Sequence, residues 1–133
     1  MCLLRFPSCC EWCDVIPADL LLPMLACWLL TVAIETAILI IGLSPRHPTS
    51  MKLFAGLWLT SCTFPIVWLV LPPRFSDRMC YLLFAESFAP VVECLPFWLA
   101  FLKGQPVDRL GLRDLLAIVA ANLASFLAGE LIL

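Results

Sequence analysis

Three carboxylates stand inside long apolar runs: Glu35, Glu86 and Glu93. A charge at mid-bilayer costs at least about 2.5–3.5 kcal/mol on insertion scales. Such a group must be protonated, paired, or turned toward a wet interior. Glu86 and Glu93 are two helical turns apart and so share one face. Pro90 lies between them and frees a backbone carbonyl one turn earlier. Partners are available on other runs, as Thr60 with Thr63 and as Asn122 with Ser125. Gly56, Thr60, Thr63 and Val67 follow i, i+4, i+7, i+11, and so do Ile118, Asn122, Ser125 and Gly129. Small and hydroxyl residues in such a seam allow close helix approach and interhelical hydrogen bonds. The expected chemistry is a Glu from each of two helices bonding Asn, Thr or Ser from the other two. It serves either cohesion of the bundle or the handling of a proton or cation.

The medium that makes these acids exceptional follows from composition. Of 133 residues, 63% are apolar and only 14% charged, against about 45–50% and 25% in an ordinary soluble domain. Mean hydropathy is +1.04. Disorder, a basic nucleic-acid-binding surface and a conventional water-solvated core are excluded, and lipid is the expected solvent. A net charge of −2 points to no charged partner.

A helical span needs about 20 mostly apolar residues. Four runs qualify, at about 20–43, 53–71, 79–102 and 115–133. Short Pro- and base-rich connections separate them, so neighbouring helices are antiparallel. The runs lack period-two alternation and are too long for barrel strands. The expected fold is all-α: a single four-helix transmembrane domain over 20–133, built as two tandem hairpins. Residues 1–19 form a Cys-rich interfacial lead-in rather than a cleavable signal peptide, since Glu11, Asp14 and Asp19 precede the first run. Arg46, Lys52, Lys103, Arg109 and Arg113 fall on one side, and Arg5, Arg74 and Arg78 on the other. That bias places the first and third connections in the cytoplasm.

The two halves are alike. Leu53, Ala55, Thr60, Thr63 and Phe64 align with Leu115, Ala117, Asn122, Ser125 and Phe126, and Glu35 falls near Glu93 after a small length change. An even number of spans re-enters with the same orientation, which would make the hairpins parallel repeats about an axis along the membrane normal. With Glu35, Thr60, Thr63, Glu86, Glu93, Asn122 and Ser125 as its carriers, the chain over roughly 30–133 resembles small bacterial four-helix integral membrane proteins. The resemblance implies a fold and a bacterial inner membrane, and no activity.

The remaining polar residues offer less. Lys52, Lys103 and Arg113 are expected as topology and headgroup anchors at helix mouths. His47, the one histidine, is expected to be solvated in its Pro-flanked loop. With one His and no nucleophile–base pair in view, no enzyme and no cofactor are expected. Cys2, Cys9, Cys10 and Cys13 are weak candidates for zinc, acylation or disulfides. Cys27, Cys62, Cys80 and Cys94 read as small apolar packing groups. Most of the tryptophans, with Tyr81, lie toward span ends, as interfacial anchors do. The functional expectation is a multi-pass cell-membrane protein acting by helix–helix assembly, as a homo-oligomer or accessory subunit. Its partners would be lipid and other membrane subunits, with no nucleic acid. The alternative is a small proton- or cation-coupled transporter using Glu35, Glu86 and Glu93.

Overall fold

The computed structural model describes residues 18–104 and 108–132. They form four helices, with no strand among the described residues: α1 (Ala18–Gly42), α2 (Thr49–Pro65), α3 (Arg78–Phe97) and α4 (Arg109–Ile132). Four helical segments are long and apolar enough to cross a membrane: Leu21–Gly42, Thr49–Val70, Arg78–Leu102 and Arg109–Leu131. The second and fourth begin earlier than hydropathy placed them. Thr49–Lys52 and Arg109–Asp114 are polar turns that tertiary contacts keep helical. The Cys2, Cys9, Cys10 and Cys13 cluster lies outside the described residues.

Local chemistry sets several boundaries. Asp77 accepts a hydrogen bond from the Cys80 N–H (2.8 Å) and so caps α3. Asp108 does the same for α4 through the Gly111 N–H (2.9 Å). Each cap satisfies one of the orphan donors of a first turn. Pro65 and Pro96 lack an N–H, and each is followed by a π-helical turn, Ile66–Val70 and Trp98–Leu102. A widened turn is one way a helix absorbs such a break.

The helices form a ring in which α1 and α3 each pack against α2 and α4. Close approach is set by small residues. A Cβ on Gly56 would come within 2.9 Å of the Thr36 Cα, and one on Gly42 within 2.8 Å of the Ala117 Cβ. The exterior is apolar: Leu22 is 76% exposed, Ile41 79% and Leu131 86%. The interior combines apolar side chains with a set of buried polar groups, Glu35, Lys52, Thr60, Thr63, Glu93, Asp114 and Asn122. So apolar an exterior suits hydrocarbon better than water.

The apolar core is lopsided along the helix axes. Leu39, Leu43, Ala55, Leu59, Phe97, Leu102, Ala117, Ile118 and Ala121 form one cluster. Every one lies on the side of the glutamates where α1 ends and α4 begins. On the other side the buried apolar residues are Cys27, Phe64 and Ala85. The bundle is tightly closed at one end and loosely packed at the other.

Candidate functional site

At the boundary between these two halves lies a polar layer. Glu35 projects from α1, and its Oε2 receives the Thr60 hydroxyl of α2. Its Oε1 receives the Ser125 hydroxyl of α4 at 2.8 Å. Glu93 projects from α3 across the ring. Its Oε1 receives the Thr63 hydroxyl at 2.6 Å, and its Oε2 receives the Asn122 amide at 2.7 Å. Each carboxyl group therefore joins α2 to α4, and all four carboxyl oxygens have partners in the same chain. Glu35 and Glu93 are each only 3% exposed, so an unmet oxygen here would carry the full penalty of a buried polar group.

The donors are arranged to reach two acceptors. Thr60 Oγ1 lies 2.7 Å from the Gly56 carbonyl and Ser125 Oγ 2.9 Å from that of Asn122. Asn122 Nδ2 also reaches the Ile118 carbonyl at 3.1 Å. An amide has two hydrogens and serves both acceptors, whereas a hydroxyl has one and must choose. A hydroxyl that turns to its own helix carbonyl leaves an oxygen able to accept from a protonated carboxyl. The geometry thus admits either charge state of the glutamates without orphaning a donor.

Glu86 is not joined to this layer. It is half-buried on α3 and makes no hydrogen bond or ion pair among the described residues. It lies on the loosely packed side, in the same half as Glu130, which pairs with Arg78 at 3.3 Å on the exposed surface. Among the described residues no group of three or more His, Cys, Asp or Glu is placed to hold a metal ion. Cys62, Cys80 and Cys94 are free thiols.

A second polar centre, which the sequence reading missed, lies at the closed end. Asp114 is fully buried. Its Oδ1 accepts the Ser44 N–H at 2.6 Å, and its Oδ2 accepts the Ser44 hydroxyl and His47 Nε2, both at 3.0 Å. His47 is therefore not solvated as expected. It is held against Asp114 with Phe97 and Phe101 edge-on to its ring, at centroid distances of 5.8 and 6.3 Å. Ser, His and Asp meet here, but the serine bonds to the carboxylate and not to the imidazole. That leaves the hydroxyl without the adjacent base that nucleophilic catalysis requires. The only signal in the sequence was an Asp just inside the start of α4, which a hydropathy window treats as loop.

Lys52 and Arg113 are likewise more than headgroup anchors. Lys52 Nζ donates to the Ile40 and Leu43 carbonyls at 3.1 and 2.8 Å. Arg113 donates to those of Gly42 and Ile41 at 2.8 and 3.2 Å. Two cations from α2 and α4 thus satisfy the orphan carbonyls at the end of α1 and oppose its negative dipole end. Arg46 forms a two-pronged pair with Asp108 at 2.8 and 2.9 Å. Outside the spans, Asp108 is held below the usual carboxylate range by the Gly111 N–H and by Arg46. Asp77 is held below it by the N–H of Cys80.

No protein-family model, curated protein or solved structure matches this chain.

Proposed function

We propose that this chain is a small multi-pass protein of the bacterial inner membrane that works by assembly, as a homo-oligomer or as an accessory subunit of a membrane complex, without catalysis of its own. One observation carries the reading: all four carboxyl oxygens of Glu35 and Glu93 are engaged inside the chain, so the buried acids serve cohesion. What remains for other molecules is the apolar exterior. Interhelical bonds in membranes average about 0.6 kcal/mol each, so the four together contribute roughly 2–3 kcal/mol. That is enough to fix helix order in a bundle that gains little from hydrophobic burial.

The same bonds support two tandem hairpins related as parallel repeats. Exchanging α1 with α3 and α2 with α4 maps Glu35–Thr60 onto Glu93–Asn122, and Glu35–Ser125 onto Glu93–Thr63. The clamp of Ser44 and His47 on Asp114 has no counterpart under this exchange, so the repeat is confined to the polar layer and the helix order.

In lipid nanodiscs the wild-type chain should occur as a defined multimer, or with stoichiometric subunits when taken from its native membrane. Glu93→Gln should loosen the bundle and shift that mass. A wild-type chain that stays strictly monomeric and unaccompanied would overturn the reading. A second reading, proton- or cation-coupled transport, is favoured by Glu86, which lies in the loosely packed half with no hydrogen-bond or ion-pair partner among the described residues. There, Glu93→Gln should abolish pH-driven flux in liposomes while the oligomer keeps its size.

A further inference from the structure

The closed end is fastened by a short strap. The connection from α1 to α2 meets the start of α4, where Ser44 and His47 both bond Asp114. Ser44 and Asp114 are completely buried, while Pro45 and Pro48 on the same connection are exposed. The His47 side chain keeps 9% of its surface, so its ring joins a sealed carboxyl group to the water outside. Behind Asp114 on α4 come Ala117, Ile118 and Ala121 of the apolar cluster, and then Asn122 of the polar layer. What holds the strap therefore also holds the apolar plug between this end and the buried glutamates.

The other charges at this end are engaged elsewhere or exposed. Arg46 is committed to Asp108, and Lys52 of α2 and Arg113 of α4 to carbonyls at the end of α1. Lys103 and Arg109 are exposed. From α3 the ring meets Phe97 and Phe101, which carry no charge, and the last turn of α1 has no ionisable side chain. Among the described residues His47 is thus the one base bonded to Asp114. A carboxylate oxygen only accepts, so Nε2 donates to it in both charge states of the ring. The proton that comes and goes is the one on Nδ1. Histidine is the side chain whose charge ordinarily changes between about pH 5 and 8.

We propose that this strap is a pH-operated latch: protonated His47 binds the α1–α2 connection to Asp114, and loss of its proton loosens the closed end. Deprotonation keeps the hydrogen bond but removes the opposite charge. It leaves a sealed carboxylate without an ion-pair partner, which is costly. Closure is therefore favoured on the acid side of the histidine titration and weakened as pH rises through it. Charge-assisted hydrogen bonds are about twice as strong as neutral ones, so opening should become on the order of tenfold more frequent. The bias of bases puts this end in the cytoplasm, so the apolar plug would yield when that compartment turns alkaline.

The Ser44 N–H lies 2.6 Å from Asp114 Oδ1 and reports the latch directly. Its hydrogen exchange is followed by NMR on the full isotope-labelled chain in nanodiscs, from about pH 5.5 to 9, and corrected for the intrinsic pH dependence of exchange. Ser44 protection should fall about tenfold across this range. The Cys80 N–H, which bonds the Asp77 carboxylate at the opposite end with no histidine beside it, should show no such fall. His47→Gln keeps a donor and has no charge to lose, so its Ser44 protection should be low and flat. Persistent protection at Ile118 shows that this variant folds. A wild-type Ser44 amide whose protection does not change with pH, an equal fall at Cys80, or a fall that survives in His47→Gln would each overturn the proposal. The first two results need no variant, and the third would move the pH response to the intramembrane glutamates.

Discussion

At the residue scale, the chain separates acids that must be met in hydrocarbon from acids that act in water. Glu35, Glu93 and Asp114 are each surrounded by donors from other helices or loops, while Asp77 and Asp108 cap helices at the rim. Asp108 does two tasks, holding the Gly111 N–H and receiving Arg46. Its carboxyl is depressed in the folded chain, so it contributes stability that is fully present above the ordinary Asp value of about 3.9. That contribution is lost as pH falls through the lower folded value. Acid unfolding in detergent should therefore be less steep below about pH 4 in Asp108→Asn than in wild type. Arg46→Gln should reproduce part of the change. Identical acid limbs in wild type and Asp108→Asn would show that the clamp adds nothing in solution.

At the element scale, helix contacts here rest on small residues more than on large ones. Gly56 faces Thr36 so closely that an added methyl would clash with the Thr36 side chain and backbone. Thr36 Oγ1 is itself buried without a hydrogen-bond partner among the described residues, so that the α1–α2 contact tolerates an unmet hydroxyl. Gly56→Ala should lower stability by about 1–3 kcal/mol, the usual range for overpacking. Adding Thr36→Ala should recover only part of it, because the Thr36 Cα still lies within 2.9 Å of the new methyl. A denaturant titration of the single and double variants measures both effects, and a neutral Gly56→Ala would mean that the two helices separate easily.

Legibility of the sequence differs by element. Four helices could be read from hydropathy because a run of twenty apolar residues has no other stable form in lipid. Glu35, Glu93, Thr60, Thr63, Asn122 and Ser125 could be singled out because their polarity and spacing are costly unless met. Their crossed pairing could not, since helical spacing fixes a face and leaves open which neighbour that face meets. Asp114, His47 and Ser44 were illegible for a related reason. Their contacts are about seventy residues apart in the chain, and a polar turn at a helix start looks the same whether it is solvated or folded under a loop.

At the scale of the whole molecule, the apolar core fills only the end where α1 stops and α4 starts. Packing density, rather than helix propensity, sets how readily a region opens. Amides near Leu39–Leu43 and Ala117–Ala121 should resist hydrogen exchange longer than those in the first half of α1 or the last two turns of α4. Exchange mass spectrometry in nanodiscs tests this directly. Uniform protection along each helix would show that the polar layer does not divide the bundle.

The bond between Ser125 and Glu35 reaches across ninety residues, and this bears on synthesis. When the first hairpin enters the bilayer, Glu35 has Thr60 for company and nothing for its second oxygen. When α3 follows, Glu93 finds Thr63 and is equally half-served. Both acids wait for α4, the last of these four helices in chain order, which brings Asn122 and Ser125 together. A nascent polypeptide stalled before that point would leave two under-solvated acids in the lipid, a mark by which membrane proteolysis could tell an open bundle from a closed one.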